Sequence, residues 1–259
     1  MRETAVAGSF YPGDGEEIGE MLAAFKERAK PAKKKTDAVV APHAGWIYSG
    51  ATAMYSFLAL EKRKTYVVLS PNHTGRGAPI ALSAEDWETP LGIVKNDKAL
   101  TKELTASFEI SEAAHQREHS IEVHLPFLQY LFGDFSFVPI TMMDQSLEAA
   151  KRVAERLAAS KKDFAVVVSS DFTHYEAAKQ AKEKDMKIID AILKMDAPAF
   201  YEKLRETRAT VCGFGPIAAA VLWAKKKGRK KGELLAFSNS GDVSGDYSAV
   251  VDYASIAFC

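Results

Sequence analysis

Two cysteines, Cys212 and Cys259, are all that the 259 residues contain. That is too few for a disulfide framework, so a reducing compartment is expected and Cys212 needs a reason of its own. Neither charge sign is in excess: 34 Lys and Arg balance 34 Asp and Glu, which removes the bulk basic field of a nucleic-acid or membrane-surface protein. The basic cluster from Lys30 to Lys35 reads as a solvated linker. No apolar run is long enough to span a bilayer, and the opening MRETAVAGSFYPG lacks a charged segment followed by an apolar core. A cytoplasmic protein with no nucleic-acid or membrane partner is therefore expected. Internal repeats, low-complexity stretches, GxSxG, HExxH and a phosphate-loop spacing with Lys are also missing, which leaves nucleotide binding and two common hydrolase routes without support.

The 47% hydrophobic content is ample for one large domain over residues 1–259. Its pattern alternates between strand and helix. Asp14 can cap a helix to about Ala29, and a strand spans Asp37 to Ala41, after which Ser49 can cap ATAMYSFLAL. A strand from Thr65 to Ser70 precedes APIALSAEDWETPLGIVKN, which suggests two strands around a turn at Glu88 to Gly92, an antiparallel addition to the main sheet. Asp97 opens a short helix to about Phe108; IEVHLPFLQYL is helical and FSFVPITM is a buried strand. A helix from Ser146 to about Ser160, a strand from Phe164 to Ser169, a long helix through Leu193, a helix capped by Asp196 and the helix IAAAVLWAKKKG follow. The basic turn KKKGRKKGE leads to two closing strands, ELLAFSNS and YSAVVDYASIAF. Such alternation implies an α/β fold in three layers, α/β/α, whose mostly parallel sheet has helices on both faces.

Three of these strands end in groups that bind metals or move protons. DAVVAPHAG ends in His43, TYVVLSPNH in His73, and FAVVVSSDFTH in Asp171 and His174. In an open α/β sheet the crevice beyond the carboxyl ends of the strands is where ligands bind, so these residues should converge on one site. His43 and His73 each precede small residues that let the chain turn and leave the ring uncovered; either can equally be a capping or core histidine. Asp171 and His174, three apart, would share a face of a helical turn, with the carboxylate orienting the imidazole as a general acid or base; Asp171 can also cap the next helix. Cys212, in TVCGFGP near a helix start, is either a small buried hydrophobe or a thiol of lowered pKa. On a helix, His119 and Glu122 would share a face as pocket-wall groups or as partners of the ligands, or cap at the surface. His115 reads as solvated. SNSGDVSGDYS is a loop that either covers a site or makes a turn.

AVAGSFYPGD, APHAGWIYSG, LSPNHTG, EHSIEVHLPFLQYL, SSDFTHY and the Cys212 turn together resemble the Memo family across nearly the whole chain. The resemblance implies a fold like that of class III extradiol ring-cleavage dioxygenases. It also implies metal ligands at His43, His73 and Cys212, with Asp171 and His174 beside the metal. Cys212 stands where those enzymes use a carboxylate for Fe(II), which removes support for ring cleavage and makes copper and zinc stronger competitors of iron. Three functions follow as alternatives: a site for redox-active iron or copper doing oxidative chemistry on an unknown small molecule, an interaction module receiving a peptide or partner, and a metal-dependent hydrolase using His174 as acid or base.

Overall fold

The computed structural model describes residues 1–29 and 35–259. The linker expected from Lys30 to Lys35 thus lies outside the described residues except for Lys35, whose Nζ donates to the Leu58 carbonyl (2.5 Å). Helix α1 (Gly15–Arg28) starts where the Asp14 carboxylate accepts the Glu16 and Glu17 N–H groups, satisfying donors that a helix leaves open. Strand β1 (Ala38–Ala41) is wholly buried. Helix α2 (Trp46–Ala59) begins after Gly45 and not after Ser49. Ser49 lies inside its first turn, where its hydroxyl donates to the Ala44 carbonyl.

Strand β2 (Thr65–Pro71) is followed by β3 (Ile80–Leu82) and by the antiparallel hairpin of β4 (Trp87–Thr89) and β5 (Gly92–Asn96). Helix α3 (Lys98–Leu104) is capped by Asp97 and stops short of Phe108. Then come β6 (Glu109–Ile110), α4 (Glu112–His115), a 3-10 turn over Glu122–His124, α5 (Leu125–Phe132) and β7 (Ser136–Met142). Helix α6 (Leu147–Ala159) has the expected Ser146 cap and leads to β8 (Ala165–Ser169). Residues Asp171 to Thr173 are not helical; they run into the short strand β9 (His174–Glu176), and α7 (Ala178–Leu193) starts only afterwards. Helices α8 (Ala197–Thr207) and α9 (Phe214–Lys226), strand β10 (Gly232–Asn239), the turn helix α10 (Gly241–Ser244) and β11 (Val250–Phe258) complete the chain.

The sheet order is β10-β11-β1-β8-β2-β7-β3-β6. Its centre, β1-β8-β2-β7, is parallel, so Ala41, Ser169, Pro71 and Met142 finish at one edge. Antiparallel β11 and β10 extend one side. On the other, β3 is antiparallel to β7, whereas β5 joins β7 in parallel, so the expected antiparallel addition is only partly so. Alternate side chains of the central strands feed two cores. Val40, Leu69, Val138 and Val168 pack with α6, α7 and α9, while Val39, Val68, Phe137 and Val167 pack with α1, α2 and α5. The result is three layers, α/β/α, with the apolar periods of two and 3.6 meeting at each sheet face.

The α1–α2 contact is tight enough to test. A Cβ placed on Gly50 would lie 2.3 Å from Phe25 Cε2, and the Phe25 ring is held by stacking on Phe127 and an edge contact with Trp46. Gly50→Ala should therefore destabilise by about 1–3 kcal/mol through overpacking, although alanine gains roughly 1 kcal/mol in helix propensity. An unchanged or raised denaturation midpoint would show that Phe25 moves aside freely.

Candidate metal centre

The carboxyl edge of the parallel strands gathers His43, His73, Asp171 and His174 around one cavity of about 560 Å³, with Phe10, Tyr48, His119 and Tyr253 in its wall. Ser240 and Ser244 of the late Gly-Ser-Asp loop border it as well, so that loop does cover part of the site. One donor atom each from His43, His73 and Cys212 falls within 4.8 Å of the others, close enough for one ion to touch all three.

Two hydrogen-bond systems decide which nitrogens are available. Ser169, the last residue of β8, donates its hydroxyl to the Ser120 carbonyl (2.6 Å), so its oxygen must accept from His43 Nδ1 (2.7 Å) and from His124 Nε2 (2.9 Å). His43 thereby carries its proton on Nδ1 and presents the Nε2 lone pair, which lies 3.3 Å from Cys212 Sγ. Burial, followed by the charges of His119 and His73, holds the His43 ring well below the usual histidine pKa, so it is neutral. For His73 the acceptor is Glu118. Its Oε1 takes the His73 Nδ1 proton (2.9 Å) and its Oε2 takes the His73 backbone N–H (2.6 Å). Burial alone would raise the Glu118 carboxyl, but the hydrogen bonds from His73, then the neighbouring His119 and the Ser120 hydroxyl, outweigh it and hold Glu118 at about 2. His73 Nε2 is thus the free lone pair. A carboxylate or hydroxyl behind each imidazole is the arrangement by which metal-binding histidines are oriented. His73, Glu118 and His119 also lie within ligand distance of one another. Glu118 is already engaged by two donors from His73 and two from Ser120, which suits it to orienting His73.

The loop that carries His73 is shaped by Asn72, whose Oδ1 accepts the Thr74 and Gly75 N–H groups, and by Gly75 at φ +64°. Cys212 is brought in by close backbone approach: a Cβ on Gly213 would sit 2.5 Å from the Ser169 carbonyl oxygen, so only glycine fits beside β8. The Asp171 N–H donates to Cys212 Sγ (3.0 Å). Burial, and then the Asp171 charge, push the thiol far up, contrary to the lowered value expected near a helix start. Here the helix terminus is outweighed by desolvation and a neighbouring acid. Asp171 does not cap α7. Its Oδ1 accepts the His43 and Ala44 N–H groups (2.8 and 3.4 Å), its Oδ2 is 3.9 Å from His43 Nε2, and burial raises its carboxyl to about 6. His174 borders the same cavity, but its Nδ1 bonds to the Thr210 carbonyl (2.8 Å) and not to Asp171. With no helical turn between them, carboxylate and imidazole reach the cavity separately.

The stretch from His115 to His124 departs most from expectation. His115 is fully buried, with Nε2 against the Ala81 carbonyl (3.1 Å) and its ring on Trp87, so it is not solvated. His119 does line the cavity, stacked on His73 and tilted against Phe10. Glu122 does not share that wall. Its carboxylate is fully buried among Arg2 (2.8 Å), the Tyr11 hydroxyl (2.9 Å) and the Ala5 and Val6 N–H groups, pinning the N-terminal segment. The chain turns at His119 before the short 3-10 segment, so the two residues share no helical face. The acid that does meet His73 is Glu118, one position before His119, and its only local signal in the sequence is an acid directly beside a histidine.

These features define an α/β/α protein with a mixed imidazole and thiol donor cluster at the carboxyl edge of its sheet. Residues 2–257 match the family described as Memo-like protein. A MEMO1 family protein of Methanosarcina acetivorans is 46% identical, covering 99% of this chain and 98% of that one. One from Archaeoglobus fulgidus is 44% identical over 100% and 99%, and one from Nitrosopumilus maritimus is 41% identical over 100% and 99%. The chain belongs to the Memo family. Among its described residues no helix is long and apolar enough to cross a membrane.

Two outcomes follow. Glu122→Ala would leave the Arg2 cation, 4% exposed, buried without its partner, and should cost about 3–5 kcal/mol; a loss under 1 kcal/mol in denaturant unfolding would refute the pinning role. His43 lies well below 6.5, His115 and His119 sit at about 4 and His124 at about 3, in each case chiefly through burial. Unfolded, these rings bind protons below about 6.5 while the folded ones do not. Stability should therefore fall as pH drops from about 6.5 towards 4, and a flat unfolding free energy across that window would contradict neutral burial.

Proposed function

We propose that this protein binds a redox-active copper or iron ion through His43 Nε2, His73 Nε2 and Cys212 Sγ, and acts on a small molecule admitted by the adjoining cavity. The observation that carries this reading is the pairing of each imidazole with its own orienting acceptor, Ser169 for His43 and Glu118 for His73, which leaves both free lone pairs within reach of one thiol. An orienting acceptor on one ring nitrogen leaves the other nitrogen aimed and free to bind. One thiolate with two imidazoles is a soft set that suits copper, with iron and zinc as competitors. A bound redox ion would supply electron transfer, which no side chain here provides. Asp171, raised to about 6, can hold or release a proton near neutral pH, and His174 presents Nε2 to the same cavity. We assign them the handling of substrate protons. With two cysteines and no membrane-crossing helix among the described residues, we assign the protein to the cytoplasm.

A second reading has its own observation. Tyr48 and Tyr175, 38% and 78% exposed, flank the cavity, and Tyr175 holds φ +59°, a conformation that non-glycine residues adopt at a cost. An exposed aromatic rim suits a peptide or protein partner. A metal-dependent hydrolase using His174 would need the same ligands without redox change.

Replacing His43, His73 or Cys212 singly by Ala should weaken copper or iron binding in chelator competition by at least tenfold while leaving far-UV circular dichroism unchanged, because the two cores do not depend on these groups. A triple variant that bound as tightly as the parent would refute the ligand set. Cys212 must also lose its proton to bind. Affinity should thus rise about tenfold per pH unit between roughly pH 7 and 9, and Cys212→Asp should lose most of that slope. Oxygen uptake by the loaded protein separates the redox reading from the hydrolytic one.

A further inference from the structure

Behind the Asp171–His174 segment lies a pair of acids that the proposed chemistry does not use. Asp185 of α7 and Asp252 of β11 are both fully buried, and their carboxyls lie within hydrogen-bonding reach of one another. Among the described residues no donor reaches either oxygen of Asp252. Asp185 differs: its Oδ2 accepts the Thr173 N–H (3.0 Å) and its Oδ1 accepts the Thr173 hydroxyl (2.6 Å). Ionised carboxylates only accept, so two of them can bond to each other only when one carries a proton. The donors on Asp185 favour its charge. Asp252, with none, is the one to hold the proton, and its O–H can donate to a lone pair that Asp185 still has free.

We infer that Asp185 and Asp252 share one proton and together act as the positioning element of the Asp171–His174 segment. Every link between the pair and that segment is short. Thr173 hangs on the Asp185 carboxylate, the Phe172 N–H donates to the Asp252 carbonyl, and the Asp252 N–H donates to the Thr173 carbonyl (both 2.9 Å). Strand β9 then continues along β11, with Val251 opposite His174 and Val250 opposite Glu176. The charged and titratable groups facing the pair are His174 from β9, Lys182 from α7, Asp242 from α10 and Tyr253 next to Asp252 on β11. The cation facing Asp252 is Lys182, which among the described residues forms no ion pair with either acid. Loss of the shared proton would place two adjacent charges in a dry site; Asp185 keeps its donors from Thr173, so repulsion drives Asp252 away and strains the two backbone bonds by which Asp252 holds Phe172 and Thr173. The segment carrying Asp171 and His174 is thus tied at acid and neutral pH and loosened in alkali.

The sign follows from the folded-state shift. Burial, and then the Asp185 charge, raise Asp252 to about 8; burial also raises Asp185. Stability from the protonated form is full below the unfolded value near 3.9 and is lost as pH rises through about 8.

The inference builds on the proposed function only in giving the segment a purpose, and its test needs no metal. Carboxyl carbons and the His174 ring are followed by NMR from pH 5 to 10 in the metal-free chain, for the parent and for Asp252→Asn, whose amide can donate to Asp185 at every pH. The parent should show a carboxyl step near pH 8 that the His174 ring signals follow; the variant should show neither. The melting temperature of Asp252→Asn should exceed that of the parent by about 5 °C or more at pH 9 and converge with it near pH 5. If the asparagine variant folds poorly, Asp252→Ser serves the same comparison. Because Asp171 has its own step near 6 in both proteins, the absence of a further carboxyl step near pH 8 that Asp252→Asn removes, or such a step that leaves His174 unmoved, would overturn the inference. A failure of metal binding would leave these readings untouched.

Discussion

The hydroxyl of Ser169 is the constraint on which the site depends. It has one proton, and that proton goes to the Ser120 carbonyl, so the oxygen can only accept from the two imidazoles beside it. One hydrogen thereby sets the tautomers of His43 and His124, aims His43 Nε2 towards Cys212, and ties the end of β8 to the segment that carries Glu118 and His119. Glu118 repeats the device for His73 with a full charge. The parallel register makes this achievable: Ala41 pairs with Ser169, and β2 lies next to β8, so residues about 130 apart in sequence finish level at one sheet edge.

The chain buries acids in contrasting ways. Glu118 and Glu122 sit among full sets of donors, the first holding a histidine and the second an arginine with its strand. Asp171 is only half supplied by two backbone N–H groups and is raised. Asp252 meets another acid instead of a donor. The number of donors each carboxyl meets decides whether it serves as a fixed charge or as a place to keep a proton. Both kinds meet near the site, the fixed charge of Glu118 behind His73 and the proton-holding acids at and behind the Asp171–His174 segment.

Much of this was legible in the chain alone. Four buried strands with β-type runs and helices capped by Asp14, Asp97, Ser146 and Asp196 follow from local chemistry, and the convergence of His43, His73 and Asp171 follows from strands that run parallel. The failures share a cause. The Asp171–His174 and His119–Glu122 pairs rest on helical spacing in places where the chain turns, and spacing carries no information once the helix is absent; Ser49 fails as a cap because α2 already starts at Trp46. His115 and Glu122 look solvated or functional in isolation because their partners, Ala81 and Arg2, are distant in sequence. The sequence leaves Cys212 open between a buried hydrophobe and a thiol of lowered pKa, because the influences that decide it, burial and Asp171, come from folding. Glu118 could be recognised only after His73 was placed against it.

The central claim is that two imidazoles and one thiolate hold a single ion. X-ray absorption at the metal edge, on protein purified without chelator and loaded with one equivalent of copper or iron, tests it most directly. The account predicts a shell of one sulfur at about 2.3 Å and two imidazole nitrogens at about 2.0 Å, with the sulfur lost in Cys212→Ser. A bound ion surrounded by oxygen and nitrogen alone, or a sulfur shell that survives in Cys212→Ser, would contradict it.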